Sequence, residues 1–192
     1  MRFFSQILRY LHQRIKNFSS KLRIFRLKLL YPDLQIDLST QIGRNCTIKC
    51  IKGGKIIISK CEINDGCHIV ADCEGTIIIH STHIGMYSVI VAKESITINK
   101  GCLIAEMVVI RDQDHIIDID SKNMNRQLFK HSPINIGQNV WIASKATILK
   151  GVTIGNYSII AASSVVNRNI PPLQIWGGIP CKFINYINKT SF

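Results

Sequence analysis

The stretch "IGQNVWIASKATILKGVTIGNYSIIAASSV", residues 136–165, keeps a beat of six, with isoleucine or valine at 136, 142, 148, 154 and 160 and again at 166. Neither the 3.6-residue period of an amphipathic helix nor the two-residue alternation of a half-buried strand produces that spacing. The beat continues upstream in shorter registers: Ile36, Ile42 and Ile48; Ile57, Ile63 and Ile69; Ile78, Ile84 and Ile90; and, after a phase slip, Ile98, Ile104 and Ile110. Four places after these aliphatics stand small or β-branched residues, among them Thr40, Cys46, Cys61, Cys67, Cys73, Ser88, Cys102, Val140, Ser158 and Ser164. Position two of the hexad is often Gly, Asn or Ala, as at Gly43, Asn64, Gly85, Ala105, Gly137, Ala143 and Gly155, where a turn needs positive φ or little bulk.

The same beat accounts for "CEINDGCHIVADC", residues 61–73. Zinc ligands come in pairs separated by two to four residues, and the cysteines here are further apart. Seven cysteines are an odd number, and a 192-residue chain can bury enough core without disulfides. Five of the seven instead fill small apolar slots of the repeat, which free cysteine does well.

A six-residue repeat of this kind predicts a parallel β-helix in which each hexad is one short strand and its turn. Three hexads close a triangular coil of about eighteen residues, with the aliphatics stacked inward in columns. Periodicity leaves the hand of the coil open, because parallel crossovers are normally right-handed.

Together with "VWIASKATILKGVTIGNYSIIAASSVVNRNIPPLQIWGGIPCKFI", the hexads resemble the hexapeptide-repeat acyltransferases over roughly residues 36–185, most closely the O-acetyltransferases of capsular polysaccharide and sialic acid. The resemblance implies a mainly β fold, a left-handed parallel β-helix, to which the sequence adds an N-terminal basic amphipathic helical segment and one long loop insertion. It implies a homotrimer, acetyl-CoA as donor, a hydroxyl of a bacterial surface glycan as acceptor, and no metal. The corresponding organisation is an appendage at 1–32, a β-helix domain at 33–185 carrying the insertion at 111–135, and a tail at 186–192.

The formal charge of +12 is unevenly spread: residues 1–30 hold eight Lys or Arg and no acid, and Asp33 is the first carboxylate. Ile7, Leu8, Leu11, Ile15, Phe18, Leu22, Phe25 and Leu29 recur at steps of three and four, an apolar helical face. "NFSS" at 17–20 is a place where the helix can break, and Pro32 ends it. Charges from Arg9 to Arg26 interrupt any run able to span a bilayer or form a signal-peptide core, so a cytoplasmic location is expected. Such a helix caps the open end of the β-helix and packs in the trimer, or lies on an anionic membrane; the two are compatible. Nucleic-acid binding is not expected, because the charges come without an aromatic stacking platform or motif.

From Arg111 to Asn135 the hexads stop, and a long irregular insertion in a compact repeat is usually functional. It opens with Asp112, Asp114 and His115. Moving an acyl group from a thioester to a hydroxyl needs a base, and an imidazole with an ordinary pKa near 6.5 suits neutral pH. His115 is the candidate base, with Asp112, Asp114 or a backbone carbonyl fixing its tautomer. His12, His68, His80, His83 and His131 read as surface residues. A zinc hydratase of the carbonic anhydrase type shares the repeat but needs clustered histidines, and His115 has none within five residues.

In the acyltransferases that this chain resembles, the tryptophan of VWI, here Trp141, borders the reaction centre. The N–H at the position of Ser144 steadies the thioester carbonyl as negative charge develops. Ala143, Ala161, Ala162 and Ser163 leave room for a pantetheine arm, and Arg168 and Lys182 match basic positions that meet the phosphates of coenzyme A. Ser163 stands where a glycine is frequent, and Trp176 and Gly178 depart from the usual tail. Cys50 and Cys181 lack an adjacent histidine, so direct transfer is expected rather than an acyl-enzyme. Alternatives are acetylation of a small sugar or antibiotic, or a non-catalytic β-helix scaffold.

Overall fold

The computed structural model describes residues 2–118 and 123–188, so the end of the expected tail, from 189 on, lies outside the described residues. The described residues form six coils of a parallel β-helix whose three faces are ladders of short parallel strands. Face A runs from Leu34–Ile36 to Thr153–Ile154, face B from Gln41–Ile42 to Ile159–Ile160, and face C from Thr47–Ile51 to Val165–Val166. Inward residues stack in columns: Ile42, Ile63, Ile84, Ile104, Ile142 and Ile160 on face B, and Ile48, Ile69, Ile90, Ile110, Ile148 and Val166 on face C. Apart from a thin margin these side chains are fully buried, each worth about 1.5–3 kcal/mol relative to exposure.

The eighteen-residue coil holds only late in the chain. Ile142 and Ile160 pair directly and are eighteen apart (160 − 142), whereas Ile42, Ile63 and Ile84 are twenty-one apart (63 − 42; 84 − 63). The surplus lies at the corner between faces C and A, where five-residue strands such as Thr47–Ile51 and Lys55–Ser59 meet. This shifts the inward residues of face A. Ile36 pairs with Ile58, and Ile58 with Ile79, so Ile57 and Ile78 point outward and are only half-buried, contrary to the register read from the sequence. Cys73 is likewise exposed, with a φ of 52° at the same long corner, while Cys61, Cys67 and Cys102 are buried in the repeat as expected.

Positive φ does not fall at position two of the hexad. It falls two residues later, at Asn45, Tyr87, Met107, Asn139, Lys145, Tyr157 and Ser163. Position two is small for lack of space: a Cβ on Gly85 would come within 2.4 Å of Ala105 in the next coil, and one on Gly155 within 2.4 Å of Pro172. The left-handed residues cost roughly 1–3 kcal/mol each, which is offset because their N–H groups bond one coil back, as in Met107 to Met86 O and Lys145 to Glu106 O.

Both ends are covered. Arg2–Leu30 is one continuous helix, with no break at residues 17–20. Its second half docks on the first coil: Ile24 is fully buried in the core, the Ser20 hydroxyl accepts the Ile42 N–H at 2.8 Å, and the Arg23 guanidinium donates to Ile42 O at 2.7 and 3.0 Å. These contacts satisfy an edge that would otherwise recruit another strand. At the other end an antiparallel pair, Gln174–Gly177 with Lys182–Tyr186, continues face B. Among the described residues no helix is long and apolar enough to cross a membrane.

Ile58→Ala should cost about 2–5 kcal/mol of stability, and Ile57→Ala distinctly less, although both are isoleucines of one strand. Chemical denaturation of the two variants checks the register, and equal losses would contradict it.

Candidate active site

The described residues of the insertion between the fourth and fifth coils pair as two antiparallel strands, Gln113–Asp118 and Asn123–His131, rather than forming the irregular loop expected. It leaves the β-helix at the corner between faces C and A. Asp112 is its root. It follows Arg111, which pairs with Val91, so it takes the place above Ala92 in an inward row that also holds Ala71. It is completely buried, and its two carboxylate oxygens accept the N–H groups of Lys93 and Glu94, each at 2.8 Å. The chain departs here into the hairpin, so Asp112 supplies acceptors that a further corner would otherwise provide. Burial pushes the Asp112 carboxyl upward, against the pull of these two bonds and of nearby His131.

Asp114 is turned toward the next coil, where its carboxylate pairs with Lys150. Among the described residues neither carboxylate is bonded to the His115 ring, so the orientation considered for them is not seen in this arrangement. His115 is exposed, and its ring lies on Phe129 of the opposite strand, with centroids 4.4 Å apart. On Phe129 also rests the ammonium of Lys93, 4.1 Å from the ring centroid, itself bonded to Asp72 at 2.6 Å. His115 thus rests in tilted ring contact on Phe129, which also makes a cation–π contact with Lys93 at the end of the third coil. Phe129, Lys93 and Lys150 carry no motif in the sequence. Their roles depend on strand pairing and stacking, so no local signal reveals them. His131, read as a surface residue, meets Glu94 at 2.9 Å.

The other candidates lie elsewhere on the coils. Trp141 is half-exposed on face B between Leu103 and Ile159, beside an apolar cavity of about 310 Å³ that Tyr157 also lines. Ala143 and Ser144 form the corner between faces B and C, and Ala161, Ala162 and Ser163 form the same corner one coil further on. Ala143 and Ala161 donate to Ile160 O and Trp176 O, and Ser144 O accepts the Ser163 N–H at 2.9 Å. Among the described residues the N–H groups of Ser144 and Ala162 meet no backbone acceptor. Ser163 has a φ of 56°, which explains why glycine is suited to its place. Trp176 pairs with Ile160, and a Cβ on Gly177 would come within 2.9 Å of Ala161, so the terminal strands close directly over this corner. Arg168 is exposed and close enough to act on the Cys181 thiol, which burial pushes up; Lys182 follows it, also exposed. One chain brings Ser144, the small-residue corner and the basic pair to its late coils, while His115 stands on a different corner. Among the described residues no group of three His, Cys, Asp or Glu side chains is placed to hold a metal ion.

Residues 133–168 match the family described as bacterial transferase hexapeptide (six repeats), and the coils are the parallel β-helix that the resemblance implied. Two relatives are named for O-acetyl transfer. The galactoside O-acetyltransferase of Escherichia coli (strain K12) is 39% identical over 102 residues, 53% of this chain and 49% of that protein. A second protein of the same strain, named for O-acetyl transfer in lipopolysaccharide biosynthesis, is 34% identical over 112 residues, 55% of this chain and 57% of that protein. The chain spans about half the length of these curated relatives. A hexapeptide-repeat acetyltransferase from Vibrio cholerae O1 biovar eltor, solved with acetyl coenzyme A, shares the fold with a TM-score of 0.55. It is 24% identical, and the match covers 92% of this chain and 87% of that one.

A carboxyl whose pKa is higher in the folded than in the unfolded chain binds its proton more tightly when folded. Asp112 therefore stabilises most below the ordinary aspartate value of 3.8, and that contribution is lost as pH rises through the folded value. Asp112→Asn should remove this slope and, by turning an amide donor toward one of the two N–H groups, cost about 1–3 kcal/mol. Melting curves of both proteins between mildly acidic and neutral pH check this.

Proposed function

We propose that this chain is an O-acetyltransferase that moves an acetyl group from acetyl-CoA to a hydroxyl of a bacterial surface glycan. The observation that carries the reading is the exposed imidazole of His115, in tilted ring contact with Phe129 on a strand pair rooted in the coils, in a chain two of whose relatives are named for O-acetyl transfer, one to galactosides and one in lipopolysaccharide biosynthesis. In the step, the acceptor oxygen attacks the acetyl carbonyl while His115 takes its proton. The Ser144 N–H meets the oxyanion as it forms, a contribution typically of about 2.7–4 kcal/mol. Collapse breaks the carbon–sulfur bond, and the imidazolium returns the proton to the departing thiolate of coenzyme A. No acyl-enzyme is required: Cys181 is fully buried and Cys50 partly so, with its thiol pushed up by burial.

The donor lies along the corner of Ala143, Ala161 and Ala162, with Trp141 beside the reacting end and Arg168 and Lys182 at the phosphates. His115 and Ser144 occupy different corners of one chain, and this supports a homotrimer in which one copy's hairpin completes a neighbour's corner.

His115→Ala should lower kcat by about 10²–10⁴ and leave acetyl-CoA affinity nearly unchanged, measured on one preparation with a galactoside and with a surface polysaccharide as acceptors. Near-normal turnover on acceptors that wild type acetylates would sink the mechanism. Replacing Arg168 and Lys182 together with Ala should raise the KM for acetyl-CoA with kcat retained, and salt should reproduce part of the effect in wild type.

A further inference from the structure

We propose that the outward stripe of the N-terminal helix is a docking surface for an anionic phospholipid bilayer. Capping explains only one side of this helix. Ser20, Ile24 and Leu27 face the first coil and are wholly or partly buried. At about 100° per residue, Leu11, Phe18, Leu22 and Phe25 fall roughly opposite that side. They are 48%, 72%, 60% and 61% exposed, and Phe4 and Leu29 extend the same stripe to both ends. The stripe runs most of the 29-residue helix, about 43 Å at 1.5 Å per residue, so it is far more than scattered surface apolar residues.

Charge selects the occupant. Arg14, Lys21 and Lys28, seven residues apart, line one flank of the stripe, and Arg26 lies on the other. No carboxylate occurs before Asp33. Packing the stripes of two copies together would bring basic rows side by side with no acid from either helix to offset them. An anionic bilayer offsets them, taking the apolar side chains about 5–10 Å into the headgroup and acyl boundary while the basic rows meet lipid phosphates. Sedimenting with the bilayer, the β-helix would stand on it from the first coil, since that is where the helix docks.

The test is co-sedimentation of the full chain with vesicles of phosphatidylglycerol in phosphatidylcholine and with phosphatidylcholine alone. Wild type should bind the anionic vesicles about 10²-fold more tightly, and salt should weaken that binding. Phe18→Gln with Leu22→Gln, both good helix formers, should lose at least about tenfold in binding while keeping helix content, melting temperature and the wild-type mass in sedimentation. Arg14→Gln, Lys21→Gln and Lys28→Gln together should abolish the preference for anionic lipid. Three outcomes would overturn the proposal: absence of wild-type binding to anionic vesicles, undiminished binding by the stripe variant, or a drop of the stripe variant to a smaller species, which would make the stripe a contact between copies.

Discussion

The backbone ladder between successive coils is the interaction on which the rest depends. Each coil strand has only two to five residues and could not persist alone, but away from the two ends it is bonded above and below by equivalents in neighbouring coils. The spacing of parallel strands, about 4.8 Å, then dictates which residues are tolerated. Corners admit no Cβ at Gly85 or Gly155, the inward columns take β-branched aliphatics, and many turns hold a residue in left-handed backbone whose N–H reaches the coil below, as at Met107 and Lys145. Cysteine, threonine and serine fill the narrow inward slots, several with their polar atoms bonded to carbonyls, as Cys67 is to Gly85 O and Ser88 to Ala105 O.

A ladder of this kind has two open ends, and the chain closes them by different means. Ser20 and Arg23 spend polar side chains on the backbone of Ile42, while Ile24 enters the core. The far end is covered by an antiparallel pair over the last corner. The interruption at residue 112 creates a third local gap, and there a buried carboxylate bonds backbone N–H groups. All three are one solution: a group on one element satisfies backbone left over by another.

This economy also shapes the site. Rigid coils place Trp141, Ser144 and the alanine corner in register, and the hairpin carries the imidazole away from them on an arm held by stacking and by the Asp114–Lys150 pair.

The hexads from 136 to 166 determined the fold without help, because there every coil is eighteen residues and each aliphatic has one possible direction. The insertion that carries His115 was also legible, as the one long break in the beat with an acidic opening. The tertiary structure decided what local pattern leaves ambiguous. In the runs Ile56–Ile58 and Ile77–Ile79 adjacent isoleucines compete for the interior, and the longer corner between faces C and A chooses 56, 58, 77 and 79. Asp112 and Asp114 look alike beside His115, yet one is drawn inward over Ala92 and the other outward to Lys150. The same holds for the N-terminal helix: its apolar period was plain, but only docking on the first coil shows that most of the period faces away from it. Each of these choices depends on partners eighteen or more residues away, which spacing along the chain does not encode.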